Sequence, residues 1–213
     1  ATDCTFLVDL AEGKKSLPDP PIASIGYQAS IVITPQQEAD IDIKATLNNL
    51  LIPYTSNYAG TLLPGIREYT VTPGEKTTTI SGKGKAGLKQ EENYYFFYLP
   101  VCYKGITGKS YAYYNTSRSK NLYLPASVDE NYSYDIQLPE NLTLCTPIQE
   151  KKIDNPIGSF KITLTSEGSS LHIELALQIK KQLITPAEYP AFRSLITEWT
   201  DRTRKPILFK TVQ

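Results

Sequence analysis

Methionine is absent from the chain, histidine occurs once and cysteine three times, and each scarcity closes a route. With His172 as the sole histidine, metal centres that need two or more imidazoles are excluded. Cys4, Cys102 and Cys145 are an odd set, so they cannot all pair within one chain, and their spacing matches no zinc pattern. No apolar run approaches the ~20 residues that a membrane-spanning helix needs. Charge of either sign is also missing in excess: the formal net charge is zero, which leaves nothing to draw in a polyanion, so no nucleic-acid partner is expected. The chain opens Ala1-Thr2-Asp3-Cys4, with neither a basic stretch nor an apolar stretch of the kind a secretory leader carries. The expectation is a processed protein or an excised piece of a longer one, and an ordered pattern that starts abruptly favours the piece. No internal repeat, low-complexity tract or heptad pattern is present.

What the sequence does contain is a core and many turns. Hydrophobic residues make up 40% and charged residues 21%, enough to bury a core. Fifteen tyrosines, fifteen prolines and twelve glycines favour strands joined by tight connections. Ser16-Leu17-Pro18-Asp19-Pro20-Pro21 cannot lie inside a helix, and residues 1–24 read as an extended, proline-rich lead-in. Residues 25–120 then read as a β-rich subdomain. From Ala39 to Leu47 the pattern alternates, with Asp40, Asp42 and Lys44 on the wet face. Asn93 to Leu99 is apolar on both faces and predicts a central strand covered on each side. Residues 121–213 read as a C-terminal β domain: an alternating Tyr132–Leu138, then a hairpin from Phe160 to Ile179 turning at Glu167-Gly168-Ser169.

A lone helix follows. Thr185 as cap, Pro186 in the first turn and Glu188 three residues after the cap form a capping box and predict a helix over 186–203. Tyr189, Phe192, Leu195, Ile196 and Trp199 give it one apolar stripe, which should lie on a sheet. Ile207 to Lys210 predicts a final short strand. The fold class is therefore mainly β: antiparallel, sandwich-like sheets with one amphipathic helix packed on them.

The reactive motifs are weak. Gly82-Lys83-Gly84-Lys85-Ala86-Gly87 spells a dinucleotide fingerprint, but Leu88 to Asn93 is too short for the helix that would hold a pyrophosphate; a glycine-rich turn is expected. His172 projects with Glu174 from the polar face of its strand, and no local nucleophile marks it for catalysis. Asp40 and Asp42 could serve a cation or acid–base chemistry, yet ordinary polar-out alternation predicts the same residues. Cys102 and Cys145 sit among apolar neighbours, as buried thiols or as a disulfide pair. The tyrosine-rich middle offers rings with an apolar face and a polar tip, and Tyr103, Tyr111, Tyr113 and Tyr114 are the candidate recognition surface for a glycan or peptide. Asn115, Asn131 and Asn141 each open a glycosylation acceptor triplet.

From about Leu122 to Leu208 the chain resembles the C-terminal β domain of bacterial transglutaminase-like proteins of the Bacteroidetes type. The residues that carry the likeness are Tyr134-Asp135-Ile136-Gln137-Leu138-Pro139-Glu140, the strand around Phe160-Lys161-Ile162, the return strand to Ile179, and Ile184-Thr185-Pro186-Ala187-Glu188-Tyr189-Pro190-Ala191-Phe192-Arg193. The resemblance implies a domain of unknown function that follows a thiol-dependent core with a Cys–His–Asp set. That set has no counterpart here, because His172 lies in the hairpin and no cysteine opens a helix. It implies an accessory module with no catalytic residue, no cofactor and no metal, whose partner is an adjacent domain of the same parent chain. It also implies export to the periplasm or cell surface. A glycan- or peptide-binding module is the alternative, and a small hydrolase using His172 or the Asp40/Asp42 pair is a third reading.

Overall fold

A computed structural model describes residues 22–48, 66–75, 77–101, 117–124, 126–201 and 206–212, together with the backbone of 7–8 and 15–16. In chain order the strands are β1 (Leu7–Val8), β2 (Lys15–Ser16), β3 (Ile22–Ile33), β4 (Glu38–Asn48), β5 (Ile66–Pro73), β6 (Thr77–Gly87), β7 (Lys89–Glu91) and β8 (Tyr94–Tyr98). They continue with β9 (Leu122–Tyr123), β10 (Ser127–Gln137), β11 (Leu142–Leu144), β12 (Gln149–Asn155), β13 (Gly158–Glu167), β14 (Ser170–Ile179) and β15 (Leu183–Ile184). The helix α1 (Tyr189–Thr200) and the strand β16 (Pro206–Thr211) close the series.

Period-two alternation builds a large sheet of eight strands, in the order β12-β13-β14-β10-β3-β4-β6-β5. Its inner face carries Ile25, Tyr27, Ile31, Ile43, Tyr132, Tyr134, Phe160 and Leu177, all buried, while their alternate neighbours face water. Every neighbouring pair is antiparallel except one: β3 and β10 run parallel, with Tyr27 beside Tyr132 and Ile31 beside Ile136. This junction joins two runs of strands that the sequence reads as separate segments. The β13–β14 hairpin turns at Gly168 as expected, and its φ of 58° is the left-handed conformation that favours glycine.

A second sheet of four strands, β11-β16-β8-β7, supplies further apolar residues to the same core through Tyr95, Phe97, Leu142, Ile207 and Phe209. Tyr134 on the large sheet donates its hydroxyl to the Pro100 carbonyl at 2.7 Å, pinning the chain just after β8. The Gly82–Gly87 segment lies within β6 rather than in a turn. Gly82 and Gly84 face inward and Lys83 and Lys85 outward, because the glycines fall on the alternation that continues from Ile80. The segment after it is β7, so no helix offers its N-terminus to a phosphate.

Helix α1 buries Tyr189, Phe192, Leu195, Ile196 and Trp199 against β13 and β14, the five residues of the expected stripe. Trp199 meets the edge of Phe160 at 6.4 Å and Tyr132 at 5.7 Å between ring centroids. The helix starts at Tyr189, three residues later than the capping box predicts, and ends at Thr200, not at 203. Pro190 lacks the N–H that would continue the ladder to Pro186. The box itself forms around the preceding turn. Thr185 donates N–H and hydroxyl to Glu188 Oε2 at 3.1 and 3.0 Å, and Glu188 N–H returns to Thr185 Oγ1 at 3.4 Å. At the other end Asp201 has ψ 106°, which leaves helical geometry. No helix among the described residues is long and apolar enough to cross a membrane.

Candidate functional site

Two surfaces carry the residues of interest, and alternation places each one. On the small sheet, Tyr95 and Phe97 of β8 point inward with Phe209 and Ile207 of β16 opposite them. Tyr94, Phe96 and Tyr98 therefore point outward, opposite Lys210, Leu208 and Pro206. Tyr94 is 39% and Tyr98 57% exposed, so β8 is covered on one face only, not on both. The physical reason is its place: β8 belongs to the small sheet, and the face it turns away from the core leaves Tyr94 and Tyr98 exposed and Phe96 half-buried. Lys89 and Glu91 of β7 flank the stripe and pair at 3.1 Å. That contact, with the Tyr98 hydroxyl group as a further influence, raises the Lys89 pKa above 10.5.

On the outward face of the large sheet, His172 of β14 stands opposite Asp135 of β10. Its Nδ1 lies 2.7 Å from Asp135 Oδ1 and its Nε2 3.5 Å from Glu174 Oε1. Glu174 Oε2 accepts from Lys161 at 2.8 Å. The Asp135 hydrogen bond, aided by Glu174 and opposed by partial burial, raises the His172 pKa above its usual 6.5. Lys161 and then His172 hold Glu174 below its usual value. Both imidazole nitrogens thus face carboxylates, an arrangement suited to a charged ring in a chain of ion pairs. A general base needs a nitrogen within reach of the proton it abstracts, directly or through one water. The histidine beside a carboxylate on the polar face is what the alternation predicts. Asp40 and Asp42 also lie on this face as expected, and each pairs across to β6: Asp40 with Lys85 at 3.0 Å, Asp42 with Lys83 at 3.7 Å. Among the described residues no three His, Cys, Asp or Glu side chains converge as metal ligands do.

Tyr103, Tyr111, Tyr113 and Tyr114, with Cys4 and Cys102, lie outside the described residues. Cys145 carries a free, half-buried thiol. Sequence reasoning missed two positions. Glu130 is 2% exposed on the inner face of β10 and accepts from the Tyr132 hydroxyl at 3.3 Å. Its place in the alternation, two residues before Tyr132, was the available signal. Asn155 accepts from the backbone N–H groups of Ile157 and Gly158 at 2.9 and 3.3 Å, and donates to the Ala191 carbonyl of the helix at 3.1 Å. The Asn-Pro pair at 155–156 is a turn signal that could have found it.

The described part of the molecule is thus a β fold of one eight-stranded sheet, one four-stranded sheet and two short strand pairs, with one docked helix. Residues 93–209 match the model of a domain of unknown function with a solved structure, DUF3858, and the chain belongs to that family. A crystal structure from Parabacteroides distasonis ATCC 8503, described as a "putative protease", is similar at 31% identity with a TM-score of 0.50. The likeness covers 57% of this chain and 24% of that one, so the chain spans about a quarter of its length. No curated protein matches the chain.

Proposed function

We propose that this chain is an accessory β module without chemistry of its own, carried by an exported protein with a transglutaminase-like core. Its outward stripe Tyr94–Phe96–Tyr98 docks on the neighbouring module of the same parent chain. The observation that carries the reading is that stripe: exposed Tyr94 and Tyr98 with half-buried Phe96 between them, in alternate positions and flanked by Pro206 and Leu208. Exposed aromatic and apolar side chains grouped on one face mark contact surfaces. The family membership and the larger Parabacteroides protein support a module that works beside others. The acidic-Tyr-Pro-x-Phe-Arg run at 188–193 supports the transglutaminase-like context and, through it, export to the periplasm or cell surface. The engagement of both His172 nitrogens by carboxylates supports a non-catalytic role.

Hydroxyl-radical footprinting tests the docking. Tyr94 and Tyr98 should be oxidised readily in the isolated chain and protected at least several-fold in the full parent protein. Equal oxidation in both would refute it. His172→Ala in the parent should leave its activity intact; loss of activity in a normally folded variant would overturn the non-catalytic reading. The exposed rings also favour a second reading, stacking on a glycan or peptide. Affinity electrophoresis in which Tyr98→Ala abolishes retardation by a polysaccharide would select that alternative.

A further inference from the structure

The wet face of the large sheet contains a depression that the fold does not require. Gly26 stands inside the 12-residue strand β3, where a glycine weakens pairing and packing. Its φ is not positive, and a Cβ placed on it would meet no atom within 4 Å. Neither backbone conformation nor crowding calls for glycine there. What the missing side chain does is open a groove of about 460 Å³, within the range of ~300–1,000 Å³ common for small-ligand sites.

Strand register places the walls. One row across the sheet runs Lys161, Ala176, Asn131, Gly26 and Thr46. The adjacent row brings Glu174, Ser133, Gln28 and Lys44 to the same groove. Gln28 and Asn131 are amides, and Ser133 and Thr46 are hydroxyls. All four can both donate and accept, as sugar hydroxyls demand. The Asn131 amide is already oriented by its hydrogen bond to Asp129 at 2.8 Å. Charge is unequal: Lys161 is balanced by Glu174, whereas Lys44 makes no ion pair with any described residue. Tyr27 and Tyr132 underlie the groove, but both rings are buried in the core and offer no platform for a flat aromatic ligand.

We propose that this groove binds an acidic saccharide, a short run of uronate residues whose carboxylate pairs with Lys44 while its hydroxyls engage Gln28, Asn131, Ser133 and Thr46. A bare anion would satisfy the lysine and leave the amides and hydroxyls unused. A neutral sugar would leave the lysine unused.

The test is calorimetric titration of the whole chain with a galacturonate trimer and a mannuronate trimer, with maltotriose and inorganic phosphate as controls. At least one uronate trimer should bind, and the two controls should bind at least tenfold more weakly. Lys44→Gln should weaken uronate binding about tenfold, as expected for losing one charge-assisted hydrogen bond. Gly26→Leu should fill the groove and abolish binding while melting at or above the parent temperature, because strand propensity improves. Should Gly26→Leu fold poorly, Lys44→Gln alone decides. Tyr98→Ser should leave uronate binding unchanged, which separates this site from the docking face. No binding of either trimer, equal binding of maltotriose or phosphate, or unaltered binding by Lys44→Gln or folded Gly26→Leu would overturn the proposal.

Discussion

Glu188 holds three contacts at once. Its carboxylate takes the Lys181 ammonium, the Thr185 N–H and the Thr185 hydroxyl. The lysine contact first, and the backbone and hydroxyl donors after it, pull its pKa from 4.5 to about 2. A carboxyl with a depressed folded pKa contributes stability that is present above its unfolded value and lost as pH falls. Thermal melts between pH 5 and about 2 should therefore show a loss that Glu188→Gln removes, and the variant should be the less stable protein at pH 7. Gly158 is constrained differently. A Cβ there would lie 1.8 Å from the Gln178 carbonyl oxygen, inside the β13–β14 ladder. Gly158→Ala should cost about 3 kcal/mol, the upper end of overpacking penalties, read from a urea melt. An unchanged midpoint would show that the hairpin shifts freely. Neither residue announces its environment in the sequence. Glu188 was legible as part of a capping box, but its lysine was not, and nothing local marks Gly158 as a point of close backbone approach.

Among the elements, α1 was the most legible, since five apolar positions at helical spacing leave little choice of face. Its boundaries were not, because Pro190 and Asp201 act on backbone hydrogen bonds that a stripe of side chains does not report. The helix depends most on Trp199, which sits against Phe160 and Tyr132. Trp199→Ala should cost ~3–5 kcal/mol. Trp199→Phe should cost much less, since the indole Nε1 has no hydrogen-bond partner in the described structure and its loss forfeits none. A chemical melt of both variants checks the order. The wet face of β4 and the position of His172 could also be read, because alternation is a local signal. The Tyr94–Tyr98 run could not. Its composition is apolar throughout, and only the small sheet that β8 joins decides which rings meet water. The candidate site was legible to the same extent: the tyrosine-rich region was indicated, while the outward rings Tyr94 and Tyr98 had to come from the fold.

At the scale of the molecule, the decisive contact is the parallel pairing of β3 with β10. No periodicity foretells it, since it links strands far apart in the chain whose own patterns are complete without it. Through it one sheet and one apolar core run across both β-rich segments. Guanidinium unfolding followed by Trp199 fluorescence and by far-ultraviolet circular dichroism should give one coincident transition. Two separated transitions would show that residues 25–120 and 121–213 are independent units. The small sheet has a further property. Its inner strand β16 lies between β11 and β8, yet β8 leaves the ribosome long before β16 does. Until that late strand arrives, Tyr95 and Phe97 lack the partner that pairs with them. While the residues between β8 and β16 are being added, nascent chains thus carry uncovered aromatic surface, and holding chaperones have their opportunity in that interval.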